Sequence, residues 1–427
     1  MRILYTLLLA SMLPLILARL FWRSLSQRGY RENIGERFGI HRQSPLKNCI
    51  WIHAVSVGET RAAQPFIHRL RALYPTRPIL LTCMTPTGRA TAKELFGDTL
   101  TSAYLPYDFV ILHQRLLDRF QPAILLIMET EIWPNLLYAC QQNAVPALMI
   151  NARLSEKSSL GYARFSAVRT LLQRALQSLC VVAAQSTADA GRFAALGAQN
   201  IVVTGNVKFD VGFDPGLVKL GQDWRTPLGL QRVLLCASTR EGEEAMLLKA
   251  YMQAFDIAER RETLLVIVPR HPQRFDRVAD NIASAGLQFS RRSEGMPSIT
   301  DRWSAEVLLG DSMGEMAAYY SFCDVVIIGG SFLPLGGQNL IEACDLGKPV
   351  IMGPSRFNFA DVARLAEDAG AMQTVPDVFE AMRAAHGLLR NDAGRKQMAD
   401  AGRKLIDANR GATDRTVALI APILGAG

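Results

Sequence analysis

Several motifs that would assign this chain a chemistry at once are missing from it. Its seven cysteines, Cys49, Cys83, Cys140, Cys180, Cys236, Cys323 and Cys344, stand singly, with no CxxC pair. Its six histidines form neither HxxxH nor HExxH. An odd, dispersed set of cysteines predicts reduced thiols in a cytosolic compartment and argues against a disulfide framework or a zinc site. There is no Walker A lysine loop and no G-x-G-x-x-G, which disfavours ATP hydrolysis and hydride transfer. No low-complexity segment or short repeat interrupts the chain. The formal net charge is +8, which suggests anionic partners. No basic run with interleaved aromatics is present, so phosphorylated ligands or an anionic membrane face fit that charge better than nucleic acid.

What is present is a chain of 427 residues, 49% hydrophobic and 20% charged. That suits two globular domains with an added membrane element. The opening "MRILYTLLLASMLPLILARLFW" is apolar apart from Arg2, Tyr5, Thr6, Ser11 and Arg19, about the ~20 residues that can cross a bilayer. A cleaved signal peptide is the rival reading, but no small-x-small cleavage site follows the apolar core. Arg19, Arg23, Arg28, Arg31 and Arg37 would keep the downstream body in the cytoplasm. Residues 1–24 are therefore read as a membrane anchor, spanning or lying in the interface.

Beyond the anchor, apolar strand-like runs alternate with amphipathic segments. The runs are "CIWIHAV", "PILLTC", "SAYLPYD", "AILLIM", "PALMIN", "CVVAAQ" and "NIVVTG", then "RVLLCAS", "TLLVIVP", "EVLLGD", "DVVIIGG" and "KPVIMG". This pattern predicts an α/β fold of two parallel-sheet, Rossmann-like domains, 25–212 and 213–427, with the last helix free to pack back on the first domain. The Gly-, Pro- and Asp-rich stretch Lys208–Pro227 lacks a sustained period and reads as the joint. Two such domains would face a cleft, and ligands in open α/β sheets bind beyond the carboxyl ends of the strands. Residues just after strands are thus the ones to weigh.

In "IIGGSFLPLGGQNLIEACDLGKPV" paired glycines precede a helix start, which suits close approach of a phosphate. Gly337, Gln338, Asn339, Leu340, Ile341 and Glu342 lie there, and Glu342 is placed to accept from ribose hydroxyls. The alternative is an ordinary glycine turn with an acid near the helix dipole. Pro269 and Arg270 end another strand, and an arginine there can pair bidentately with phosphate. In Ser312-Met313-Gly314-Glu315 the S-x-x-E spacing also fits a capping box. Ser238, Thr239 and Arg240 repeat the arrangement. In the first half Glu129-Thr130-Glu131, Arg153 and Lys208 follow strands, as does Glu59 in "IWIHAVSVGET". Glu59 likewise fits S-x-x-E with Ser56, so cap and catalytic base compete. A helix N-terminus is expected to lower its pKa, partial burial to raise it.

"RENIGERFG", "IWIHAVSVGET", "METEIWPNLL", "NARLSEKS", "TGNVKFD", "VPRHPQRF", "GDSMGEM", "GGSFLPLGGQNLIEA" and "MGPSRFNF", from Arg31 to Phe359, together resemble one family closely: the Kdo (3-deoxy-D-manno-octulosonic acid) transferases of lipid A core assembly. The resemblance implies a GT-B fold and an enzyme anchored in the cell inner membrane, with its catalytic domains in the cytoplasm. It implies CMP-Kdo as donor, a lipid A precursor (lipid IVA) as acceptor, inversion at the anomeric carbon, and neither metal nor cofactor. It places the general base on Glu59. CMP contacts fall on Pro269, Arg270, Met313, Gly314, Glu315, Asn339, Leu340, Ile341 and Glu342. Glu131 is the second catalytic carboxylate expected, and Gly337, Gln338, Arg153, Lys208 and Ser238 are further substrate-binding candidates. Two other readings stay open: a GT-B enzyme acting on a UDP-sugar, as transferase or 2-epimerase, and a non-catalytic membrane-anchored protein that binds nucleotide or lipid.

Overall fold

The computed structural model describes residues 1–210, 212–226, 232–296 and 305–425. Contacts divide the chain into two compact units, Met1–Asp210 with Asn409–Gly427, and Val211–Ala408.

The first unit is built on strands β1 (Cys49–His53), β2 (Ile79–Cys83), β3 (Thr101–Tyr104), β4 (Pro122–Met128), β5 (Ala147–Ala152), β6 (Val181–Ala184) and β7 (Ile201–Val203). They form one parallel sheet in the order β3-β2-β1-β4-β5-β6-β7. The central strands β1, β2, β4 and β5 read as near-continuous apolar runs because both faces are covered, whereas the edge strands β3 and β7 are partly exposed. Alternate residues go to opposite cores. Cys49, Trp51, Leu125 and Ile127 enter one, while Ile50, Ile52, Ile124 and Leu126 enter the other.

That second core is finished by the far end of the chain. Ala412, Val417, Ile420 and Leu424 of the helix Ala412–Leu424 pack into it. Asp210 holds the start of that helix, accepting from the Gly411 amide at 2.7 Å and from the Thr413 amide at 2.5 Å. The last helix therefore belongs to the first unit, and the second ends at Ala408 rather than at 427.

The second unit carries β8 (Arg232–Thr239), β9 (Thr263–Pro269), β10 (Phe289–Arg291), β11 (Val307–Leu309), β12 (Val325–Ile328), β13 (Val350–Met352) and β14 (Met372–Thr374). Its parallel order is β10-β11-β9-β8-β12-β13-β14. Five of these seven strands are the apolar runs read from the sequence; β10 and β14 are additional, three residues each, at the two edges.

The expected joint is not irregular. Within Lys208–Pro227, of which Val211 and Pro227 lie outside the described residues, Pro215–Arg225 is an eleven-residue helix. Asp214 caps it by accepting from the Gly216 amide at 2.8 Å, and Pro215 occupies its first turn, the preferred residues for a helix start. Its buried Trp224 packs on Tyr319 and Phe322. The weak apolar period arises because much of the contact is made by a residue with no side chain. A Cβ on Gly221 would stand 2.1 Å from the Ala318 carbonyl oxygen, so this helix meets Met316–Phe322 backbone to backbone.

At the chain start, Arg2–Ser26 forms one helix. By length and composition its segment Arg2–Leu25 suffices to cross a membrane. Ile3, Leu7, Leu15, Phe21 and Trp22 on it are exposed. Polar contacts tie its first turn to the body of the first unit: Arg2 Nη1 donates to Asn135 Oδ1 at 3.2 Å, and Thr6 Oγ1 pairs with the Asn135 side chain.

Substituting Gly221→Ala forces the helix Pro215–Arg225 off its neighbour. A loss of about 1–3 kcal/mol is expected from such overpacking, read as a lower denaturant midpoint. An unchanged midpoint would show that the close approach contributes nothing.

Candidate active site

In each sheet one pair of adjacent central strands connects onward in opposite directions, β1 and β4 in the first unit and β8 and β12 in the second. The loops leaving neighbouring strands diverge there and open a crevice at the carboxyl ends. Most of the residues singled out from the sequence follow these strands.

In the first unit, β1 runs into the short helix Val57–Ala62, with Ser56 as its cap. Glu59 is folded back onto the strand end. Its Oε2 accepts from the Val55 amide at 2.8 Å, its Oε1 from Ser56 Oγ at 2.9 Å, and its own amide donates to Ser56 Oγ at 3.4 Å. The capping geometry is thus realised, yet the pKa moves opposite to what a cap alone would give. Burial pushes the Glu59 carboxyl up to about 7; the Val55 and Ser56 bonds oppose this, and the negative charges of Glu129 and Glu131 reinforce it. Desolvation outweighs the cap because the side chain is half-buried beside two other carboxylates.

Those carboxylates come from the end of β4. Glu129 has a left-handed backbone, φ 57°, uncommon for a residue with a side chain. It pairs with Lys208 Nζ at 3.6 Å. Glu131 accepts from Trp133 Nε1 at 2.9 Å, and its pKa is raised, chiefly by burial and further by Glu129. The Thr130 hydroxyl donates to the Arg153 carbonyl. Asn151, at the end of β5, accepts from the Val207 amide at 3.2 Å and so fixes the turn that carries Lys208. The structure therefore gathers Glu59, Glu131 and Lys208 around Glu129, and Thr130 ties the Arg153 backbone to the same loop. The central position of Glu129 was not evident beforehand, because nothing in "METEIW" shows which acid takes the left-handed turn.

In the second unit Ser238, the next-to-last residue of β8, has φ 57°, and a Cβ on Gly329 would stand 2.6 Å from its carbonyl oxygen. The two loops touch through bare backbone. Glu243, fully buried, braces them: it accepts from the amides of Arg240 at 2.9 Å, Gly330 at 2.6 Å and Phe332 at 3.1 Å. Nothing in the sequence reading singled this residue out, although two acids directly after a glycine at a helix start were a usable signal. The Arg270 amide donates to the Thr239 carbonyl, setting β9's end beside β8's. His271 has its pKa lowered by burial and by the nearby positive charges of Arg240, Arg270 and Arg274, so cations converge where these strands end.

Gly337 has φ 72° and its amide donates to the Gly330 carbonyl at 2.7 Å, folding the glycine loop back over the strand end beside half-buried Gln338. Asn339 accepts from the Ile341 amide at 3.1 Å and donates to Glu342 Oε1 at 2.9 Å. Glu342 has a raised pKa from burial, opposed by the Asn339 bond and by the positive charge of Arg270. Arg270, Asn339 and Glu342 thus come together. Leu340 and Ile341 are core residues, able to meet a ligand only through their backbone, and the helix they begin has just five residues, Ile341–Asp345.

The Ser312–Glu315 capping box does not form. The Ser312 and Tyr319 hydroxyls bond at 2.7 Å, and Glu315 Oε1 accepts from Arg292 Nη2 at 2.9 Å. Glu315 Oε2 is buried without a partner, an acceptor left open. Met313 is 57% exposed beside Gly314, φ 80°. Among the described residues no group of three or more His, Cys, Asp or Glu is placed to hold a metal.

Two parallel, Rossmann-like units with polar groups at their switch points define the GT-B class. The crystal structure of UDP-GlcNAc 2-epimerase from Neisseria meningitidis bound to UDP-GlcNAc has this fold: TM-score 0.57, 15% identity, covering 87% of this chain and 99% of that one. At that identity the likeness concerns the fold alone. Residues 32–211 match the family model for 3-deoxy-D-manno-octulosonic-acid transferase (kdotransferase). The 3-deoxy-D-manno-octulosonic acid transferase of Bordetella pertussis is 43% identical, with 99% of each chain covered. That of Haemophilus influenzae is 35% identical, again with 99% of each covered. The chain belongs to the 3-deoxy-D-manno-octulosonic acid (Kdo) transferase family, and so to the glycosyltransferases.

Glu243→Ala would leave three loop amides without their acceptor. At about 1–3 kcal/mol for each buried donor left unpaired, it is expected to destabilise the second unit far more than a surface Glu→Ala such as Glu241→Ala. Chemical denaturation of the two variants checks this.

Proposed function

We propose that the chain transfers Kdo from CMP-Kdo to a lipid A precursor, lipid IVA, in lipopolysaccharide core biosynthesis, inverting the anomeric configuration with Glu59 as general base. The observation that carries the reading is a half-buried carboxyl, poised near neutrality, at the first unit's switch point. A base works best when its pKa lies near the working pH. Two of the four lone-pair positions of the Glu59 carboxylate take the Val55 and Ser56 bonds, leaving others for the proton of an acceptor hydroxyl. As that proton passes to Glu59, the hydroxyl oxygen bonds the anomeric carbon and the bond from that carbon to the CMP phosphate oxygen breaks. Glu131 orients the acceptor or offsets positive charge developing on the sugar ring. Lys208 and Arg153 add positive charge suited to an anionic substrate.

On the second unit, Arg270 and the converging cations receive the leaving CMP phosphate, whose negative charge grows as the bond breaks. Pro269, Ser238, Met313, Gly314, Gly337, Gln338 and the backbone of Leu340 and Ile341 shape the donor site. Glu315, Asn339 and Glu342 offer acceptors to the cytidine and its ribose. The helix Arg2–Leu25 anchors the chain in the cell inner membrane, with both units on the cytoplasmic side, where a membrane-embedded acceptor would meet them.

Purified full-length protein incubated with CMP-Kdo and lipid IVA is expected to add Kdo mass to the lipid; no added Kdo overturns the proposal, and preference for UDP over CMP favours a UDP-sugar enzyme. Glu59→Gln should bind CMP normally while transfer falls by roughly two to four powers of ten, the usual contribution of a general base.

The pH profile gives a second test. The base must be ionised, so the rate should rise with pH through a limb near 7. Glu129→Gln removes a negative charge that holds the Glu59 pKa up, and the limb should move to lower pH. A limb unmoved by this substitution would exclude the coupling between the two carboxyls.

A further inference from the structure

Apart from the candidate active site, the first unit has a cavity of about 390 Å³ at the root of the apolar helix. Its polar lining comes from Arg2, Tyr138, Gln141, Arg174, Gln177 and Ser178, and no carboxylate lines it. Three helices meet there: the N-terminal one, Pro134–Gln142 and Ser166–Gln177. The Arg2 guanidinium is fixed from two sides, 3.6 Å over the Tyr138 ring and bonded to Asn135, which is itself fully buried. Arg174 is exposed and engaged in no ion pair or side-chain hydrogen bond among the described residues. Next to Arg2 along the helix come exposed Ile3, Leu4, Leu7 and Leu8. A doubly cationic, carboxylate-free cavity therefore opens where a strongly apolar surface begins.

We propose that this cavity binds the phosphate of an anionic phospholipid, with the lipid's acyl chains lying along the exposed face of the helix. Guanidinium groups pair with phosphate through paired N–H donors, and Tyr138 and the two glutamine side chains offer further donors. An acyl chain and a headgroup phosphate are covalently joined, and here their two complements are adjacent in one structure. The proposal rests on the membrane placement given above.

The test uses full-length protein and vesicles of neutral digalactosyl diacylglycerol, alone or made equally anionic at pH 8 with phosphatidylglycerol or with the carboxylate lipid cholesteryl hemisuccinate. Wild type should bind all three. It should bind the phosphatidylglycerol vesicles at least about fivefold more tightly than the carboxylate ones, the effect of one basic contact at a membrane surface. Arg174→Gln should abolish that preference for phosphate, whereas Arg169→Gln, on the same helix but outside the cavity, should keep it. Equal affinity for the two anionic vesicles, or a preference that survives Arg174→Gln, overturns the site while leaving the membrane placement intact. Binding to no vesicle overturns both. If millimolar inorganic phosphate erases the preference, the cavity takes soluble phosphate and the lipid assignment fails.

Discussion

A parallel strand covered on both faces can carry polar chemistry only where it ends. In the first sheet, alternate residues of the central strands go to separate apolar cores, and the ionisable groups of β1, Cys49 and His53, are pushed towards their neutral forms by burial. The exits of the strands are where charge, left-handed backbone and open hydrogen-bonding positions accumulate. The switch points between β1 and β4 and between β8 and β12 concentrate them further, because neighbouring chains leave there in opposite directions. Glu59, Glu129 and Glu131 in one unit, and Ser238, Arg270 and the glycine loop in the other, are the same solution applied twice with charges of opposite sign.

The acidic exit shows two forces of comparable size acting on one group. The bonds from Val55 and Ser56 hold the Glu59 carboxylate in one orientation and favour its charge, while burial beside two more carboxylates disfavours that charge. The outcome is a carboxyl group with a fixed direction and a pKa near neutrality, which neither a solvent-exposed cap nor an unbraced buried acid would provide. The basic exit is organised by restraint of the backbone. Glu243 gathers the amides of Arg240, Gly330 and Phe332 and so ties the two loops together. Its role is to position these groups, because it is fully buried and has its partners within the protein.

The strands of the first unit were all legible in the sequence: the central ones, buried on both faces, leave near-unbroken apolar runs, and the edge strands β3 and β7, though partly exposed, still lie in short apolar stretches. The edge strands β10 and β14 were not. "FSR" and "MQT" are short and half-exposed, and register with a neighbour defines them better than composition does. The helix Pro215–Arg225 was hidden because its closest contact is made by a glycine, which carries no hydrophobic signal. Position after a strand led to the candidates Glu59, Glu131, Lys208, Arg270 and Glu342, which the structure does place around strand ends, because topology dictates where such residues go. Three things needed coordinates: the direction of the Glu59 shift, the central place of Glu129, and the core burial of Leu340 and Ile341. All depend on distances between segments far apart in the chain.

The helix Ala412–Leu424 gives the chain an order of assembly. It fills one core of the first unit, yet it is synthesised only after the whole second unit. Domains tend to fold as units during translation, so the second unit can close while the first still has an unfilled face. The face left waiting is the one served by Ile50, Ile52, Ile124 and Leu126 of β1 and β4, the strands that carry the three carboxylates. A growing chain therefore completes the core beneath its three carboxylates only once the segment that follows the second unit has arrived, and that helix acts as the closing piece of the first unit.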